Sequence, residues 1–222
     1  MMQSLYTSST GMLAMQTQID TTANNIANVN TMGYKKSRAE FADLMYKVMT
    51  YAGTSTSDTT QSPTGIEVGL GVRPTAINKI FTEGSLKQTD NTLDVAITGK
   101  GFFKLELPNG TEVYTRNGSF KVDQNGTIVN SDGYKLVPEV VIPEDAVDIS
   151  IGTDGIVSVT QSGQAQATQV GQISLTTFIN PAGLHATGDN LFVETDSSGQ
   201  PIEGTAGENG IGTIRQGFVE LS

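Results

Sequence analysis

From Gln3 to Val29 the apolar side chains keep a seven-residue beat. Leu5, Met12, Ile19 and Ile26 stand seven apart, and Met15, Thr22 and Val29 follow three behind the last three of them. That spacing predicts one helix over Gln3–Val29, about 40 Å long at 1.5 Å per residue, with Asn30 and Gly33 as its stop signals. The apolar stripe is one or two residues wide, closer to a coiled-coil seam than to the broad face of a core helix. Its expected partner is another helix, one from another subunit included; the alternative is a terminal helix packed on its own domain. Helices of this length are marginal alone in water, so the segment is expected to order on assembly.

The end of this helix is crowded with amides: Asn24, Asn25, Asn28 and Asn30 fall within seven residues. Asparagine is a mediocre helix former because its amide competes for nearby backbone groups. Asn24, Asn25 and Asn28 are expected beside or opposite the seam, exchanging hydrogen bonds across a close helix–helix contact without charge repulsion. Asn30 reads as a stop signal. The residues expected to carry self-association are therefore Leu5, Met12, Met15, Ile19, Asn24, Asn25, Ile26, Asn28 and Val29.

A second helix is predicted over Ser37–Met49, with Phe41, Leu44, Met45 and Val48 on one face. Residues 51–65, "YAGTSTSDTTQSPTG", have almost no apolar content and read as a loop or linker. "GIEVGLGV" (Gly65–Val72) reads as a bend, after which the texture becomes that of strands. "GFFKLELPNGTEVYTR" sets Phe103, Leu105 and Leu107 against Phe102, Lys104 and Glu106, then turns at Pro108-Asn109-Gly110. Further turns are expected at Asn125-Gly126 and Asp132-Gly133, and further strands near 147–151, 155–160, 170–179, 190–194 and 211–215. The predicted fold is mainly β: one β domain of hairpins over residues 72–222, preceded by a long N-terminal coiled-coil-type helix (1–33) and a helical or extended linker (34–71).

Composition supports a turn-rich β protein, since hydrophobic residues are 36% and charged ones 16% of 222. The formal charge of −10 argues against a nucleic-acid face or an anionic membrane surface. It is uneven: residues 1–50 carry four cations (Lys35, Lys36, Arg38, Lys47) against three acids (Asp20, Glu40, Asp43), so the excess of acid lies beyond them. There is no cysteine, which excludes disulfides and thiolate metal sites. No apolar run is long enough to span a membrane, and the start shows no basic or apolar region of a cleavable leader.

Candidate chemistry is thin. The lone histidine, His185, sits in the turn-like "NPAGLHATGDN", and no serine has a nucleophile-elbow context. "DQNGTIVNSDG" lacks the alternating acids and terminal Glu of a calcium loop and reads as two Asx-Gly turns. Glu144, Asp145 and Asp148 are expected surface acids. The glycines of 65–72 have the wrong spacing for a dinucleotide or phosphate loop. Asn109, Asn117 and Asn125 fit N-x-S/T and equally fit turns. No catalytic residue, cofactor or metal is expected.

Two long motifs carry a resemblance. "SLYTSSTGMLAMQTQIDTTANNIANVNTMGYKKSRAEFADLMY" closely resembles the N-terminal signature of bacterial flagellar rod and hook axial proteins, above all its ANN-x-AN-x-x-T-x-G-[FY] segment at Ala23–Tyr34. "DVAITGKGFFKLELPNGTEVYTRNGSFKVDQNGTIVNSDGYKLVP" (Asp94–Pro138) resembles the same family's β-domain signature. The segment from Ser62 to Ile97 and "GTDGIVSVTQSGQ" onward are most similar to the family's distal-rod branch.

The resemblance implies a structural protein, not an enzyme, that polymerises helically into a hollow drive shaft of the flagellar basal body. It implies type III export without a cleaved leader and a place between periplasm and outer membrane. Expected partners are copies of itself, other rod and hook proteins, the surrounding rings, and the export apparatus or rod cap. The family pattern continues past "IRQGFVELS" into a C-terminal heptad helix that this sequence does not include. The resemblance also associates a long linker with a straight, stiff rod, which points to Tyr51, Ser57, Pro63 and Gly65. A proximal rod or hook protein, and a secreted β-domain binding protein, are the alternative readings.

Overall fold

A computed structural model describes residues 2–57, 60–162 and 166–222. Met2–Ala27 form one α-helix, α1, which gives way to a turn over 28–30, so the amide-rich stretch does end it. The chain then divides into two units: Met1–Ala27 with Ser37–Ile80, and Asn28–Lys36 with Phe81–Ser222. No helix among the described residues is long and apolar enough to cross a membrane.

In the first unit the strands are β1 (Ser37–Asp43), β2 (Tyr46–Thr50), β3 (Ser55–Ser57), β4 (Thr60–Gln61), β5 (Ile66–Gly69) and β6 (Val72–Lys79). The helix expected over Ser37–Met49 is therefore corrected to two strands. β1 pairs antiparallel with β6 from Ser37↔Lys79 to Asp43↔Val72, with a bulge between Glu40 and Phe41. Pairing along the whole of β6 outweighs the local 3–4 spacing, and the bulge plus the break at 44–45 explains why that spacing imitated a helix. The linker is likewise structured. β2 pairs with β5 and β3 with β4, both antiparallel, making a two-stranded ribbon. Its residues 58–59, and the side chains of Ser57 and its neighbours at 55, 56 and 60, lie outside the described ones.

The second unit holds β7 (Ser85–Gln88), β8 (Val95–Thr98), β9 (Phe103–Glu106), β10 (Glu112–Thr115), β11 (Lys121–Val122), β12 (Ile128–Val129), β13 (Lys135–Val137), β14 (Ala146–Ile151), β15 (Ile156–Gln161), β16 (Thr168–Gln172), β17 (Ser174–Thr177), β18 (His185–Gly188), β19 (Leu191–Val193), β20 (Ile202–Thr205), β21 (Thr213–Gln216) and β22 (Phe218–Leu221). A seven-stranded sheet runs β11-β12-β13-β9-β10-β19-β18, beside a β14-β15-β16 meander and the pairs β17-β20, β21-β8 and β22-β7. The fold is mainly β behind a single N-terminal helix.

The predicted turns fall where expected. At Gly126, φ is +81° and its N–H donates to Asp123 O at 2.9 Å, closing the Asn125-Gly126 hairpin. The alternation along β9 has a further feature. Phe103 and Leu105 enter the main core with Ile97, Phe120, Leu136 and Leu175, while Phe102, just before β9 and on the opposite side of the alternation, joins a second aromatic cluster. There Phe102 meets Phe81, Phe178 and Phe192 edge-on at 5.4–6.1 Å. Such edge-to-face pairs add about 0.5–1.5 kcal/mol each beyond the area they bury. Both faces of β9 are covered, so strict alternation fails there.

Candidate self-association surface

At 100° per residue the seam and a second stripe of small and polar residues lie on opposite sides of α1. The second stripe faces the chain's own β1 and β6, so on this side α1 packs on its own strands as a formed helix, unlike the expectation that it orders on assembly. Ala14 is only 3% exposed and Thr21 8%, and Gln3, Thr7, Thr10, Thr17 and Asn25 are half-buried. Threonines suit this face because each hydroxyl is satisfied inside the helix. Thr7, Thr17 and Thr21 donate to the carbonyls of Gln3, Leu13 and Thr17 at 2.8–3.0 Å, and Thr10 donates to Thr7 O at 2.9 Å. What they offer the strands is methyl surface. Gly71, at φ +120°, lets the helix come close, since a Cβ there would overlap Thr10 Oγ1.

The seam points the other way. Leu5, Met12, Met15, Ile19 and Ile26 are all 64–70% exposed, and Val29, in the turn after α1, is 51% exposed. A groove between Ser8, Gly11, Met12, Met15, Gln16 and Ile19 runs along this side, opened by the missing side chain at Gly11. The helix thus puts threonine inward and isoleucine outward.

The asparagines work within the chain. The Asn25 amide donates to Ser37 O at 2.7 Å, and its oxygen accepts Ser37 N–H at 2.9 Å, a two-pronged tie between α1 and β1. Asn24 lines a small cavity with Asp20, Thr21, Ser37 and Ile77. Asn28 Oδ1 accepts from the Thr31 hydroxyl at 3.2 Å, and Asn28 O accepts Thr31 N–H at 3.0 Å, shaping the turn. These amides were expected to reach across a helix–helix contact; within the chain Asn25 holds the segment that follows the helix and Asn28 shapes the turn.

The β2–β5 ribbon carries a second band of exposed apolar side chains: Met45, Tyr46, Met49, Tyr51, Ile66 and Val68. Of the residues singled out in the linker, Tyr51 is 74% exposed and Pro63 exposed. Gly65 lies against the ribbon, where a Cβ would approach Thr50 O to 2.6 Å.

A feature that local sequence reading missed lies in the second unit. Glu220, on β22, is fully buried. Its Oε1 accepts from Lys35 Nζ at 2.6 Å and from Gly84 N at 2.7 Å, and its Oε2 accepts from Arg116 Nε at 2.8 Å. Lys35 also donates to Thr82 O at 2.7 Å, and the Arg116 guanidinium donates to the carbonyls of Ile97, Gly99 and Gly101. Burial alone would push the Glu220 carboxyl up, but Arg116, Lys35 and the Gly84 N–H hold it below the usual glutamate range. Burial lowers Lys35, and the Arg116 charge lowers it further. Two cations share one anion here, so Glu220 is the member the others depend on. Gly33, at φ +70°, brings the Lys35 segment in where any Cβ would collide with the Asn117 backbone. Gly33, Tyr34 and Lys35 of the N-terminal signature are thus buried parts of the β unit. The only sequence signal was Glu220 itself, a carboxylate in the apolar run "GFVEL".

His185 lies exposed on β18. Among the described residues no cluster of His, Asp and Glu is placed to hold a metal ion.

Known proteins resemble the chain along its whole length. Residues 5–35 match the family described as flagella basal body rod protein, and 96–159 the flagellar hook protein FlgE/F/G D1 domain. The flagellar basal-body rod protein FlgG of Buchnera aphidicola subsp. Schizaphis graminum is 49% identical over 222 residues, all of this chain and 85% of that relative. The FlgG of Borreliella burgdorferi is 48% identical over 224 residues, covering 84% of its length, and that of Caulobacter vibrioides 45% over 222 residues, covering 85%. Motif, fold and full-length identity agree, and the chain belongs to the flagellar basal-body rod protein family.

Proposed function

We propose that the protein is a structural subunit that polymerises helically into the distal rod, the hollow shaft that carries torque from motor to hook. The observation that carries this reading is the mounting of α1: its small, threonine-rich face is taken by β1 and β6, and its apolar seam is left outward. Burying Leu5, Met12, Ile19 and Ile26 between copies at roughly 1.5–3 kcal/mol each contributes several kcal/mol per subunit, enough to drive association of concentrated chains. The same seam is a poor dimer surface at low concentration, because the helix must be held in register as well as buried. Polymerisation is then confined to the growing tip, where exported subunits accumulate. The rod spans periplasm to outer membrane, its subunits leave by the type III route, and its neighbours are other axial proteins and the surrounding rings.

The test is Ile19→Asp in the full chain. A carboxylate in the seam abolishes rods seen by electron microscopy while the second unit keeps its melting temperature. Normal rods from that variant would refute the assignment.

A further inference from the structure

We propose a second contact between copies, outside the helix: Val147 of one copy enters an apolar cavity beside Phe178 of the next, with the acids around Val147 meeting Lys100. It rests on the polymer reading above and adds a specific pair of surfaces to it.

The cavity belongs to the second unit. It is lined by Phe81, Phe102, Phe178, Ile179 and Pro181, with Lys100 among its polar walls, and has a volume of about 150 Å³. A cavity of about that size takes a benzene ring in an engineered protein, so one branched aliphatic side chain fits. Ile179 is 82% exposed beside it, an apolar edge that no residue of the chain covers among those described. Lys100 is exposed, and none of the described ion pairs includes it. By contrast the other cation lining the cavity, Arg116, is committed to Glu220.

The complementary knob is on β14. Val147 sits where the β14–β15 register shifts, between Ala146↔Gln161 and Asp148↔Thr160. A bulge leaves one residue unpaired and re-aims its side chain, and Val147 is 72% exposed. Glu144, Asp145 and Asp148 flank it. Val122, Val141 and Ile202, also exposed in this unit, are less exposed and lack three neighbouring acids.

A second copy is the occupant that the charges favour. With 13 cations against 23 acids, copies of this chain repel one another in most orientations. A contact between them gains from setting acid against a cation outside the described ion pairs, and an acid-flanked valine against a lysine-bordered apolar cavity does so. Knob and cavity are different patches of one chain, so the contact is heterologous and propagates from copy to copy. Open filaments need such a contact.

The absence of cysteine makes the test clean. Full-length Val147→Cys and Ile179→Cys subunits are mixed at polymerising concentration under mild oxidation. The mixed 147–179 disulfide dimer is expected to exceed both homodimers. Separately, Lys100→Glu or Asp148→Lys alone raises the concentration needed for polymer about tenfold, and the two together restore it toward wild type. Unchanged melting of each variant shows that the fold is intact. Polymer without the mixed cross-link, or without rescue in the double variant, overturns this contact and leaves the rod reading standing. Neither polymer nor cross-link overturns both.

Discussion

A buried carboxylate between two buried cations makes Glu220 the residue on which the second unit is most sensitive. Replacing it by Gln keeps the shape and removes the charge, leaving Lys35 and Arg116 desolvated against each other. Breaking a buried pair in this way costs about 3–5 kcal/mol, and Glu220→Gln is expected to lose that much in denaturant unfolding. A pH series separates charge from packing. The folded Glu220 value lies below its ordinary 4.5, so its stabilisation is complete above that value and is lost as pH falls through the folded one. Wild type should therefore weaken on acidification in this range, and the Gln variant should show a shallower slope; equal slopes would mean the carboxylate is not ionised in the fold. Lys104 behaves in the opposite sense. Burial lowers it, but Glu112 and Glu203, at 2.6 and 2.7 Å, raise it to about 12. Its contribution is complete below 10.5 and fades as pH climbs toward 12. The Glu220 ion pairs were invisible in the sequence because Glu220 stands 185 residues from Lys35 and 104 from Arg116, and nothing local pairs them.

Elements were legible to the extent that one periodicity decided them. The heptad beat marked α1 to within two residues at its C-terminal end, and Asx-Gly pairs marked the hairpins of the β unit. The segment over 37–49 misled because a bulge and a two-residue break in strands of seven and five residues imitate helical spacing. The second face of α1 was also unread: threonine and alanine at 7, 14 and 21 carry little hydrophobic signal, yet they are what the strands accept. That arrangement makes an unusual substitution pattern. Ala14→Leu adds apolar surface to the helix but overpacks the β1–β6 side, and is expected to destabilise by about 1–3 kcal/mol. Ile19→Leu, on the open side, should leave the monomer's stability within about 0.5 kcal/mol. Asn25→Ala removes both bonds to Ser37, and hydrogen exchange along residues 2–27 should quicken before the β unit responds. If Ala14→Leu proves neutral and Ile19→Leu destabilising, the helix is mounted the other way round.

On the scale of the whole molecule, the ribbon of residues 46–69 is the part whose form makes least sense in a single copy. Two-stranded ribbons are marginal in water unless something packs on them, and this one exposes Met49, Tyr51, Ile66 and Val68. Were this ribbon to lie along a neighbour, burial would hold it and its own ladder would make it resist bending. Stiffness of a helical polymer depends on contacts that must stretch or slide when the shaft curves. A brace reaching from each copy to another would add one such contact per subunit, independent of the α1 seam proposed to hold the copies together. Deleting residues 51–65 should therefore separate the two properties: rods still form, because the seam is untouched, but their persistence length in electron micrographs falls. Straight rods of unchanged persistence length would show that the ribbon is a passive connection, whereas loss of polymer altogether would place it among the contacts that build the shaft.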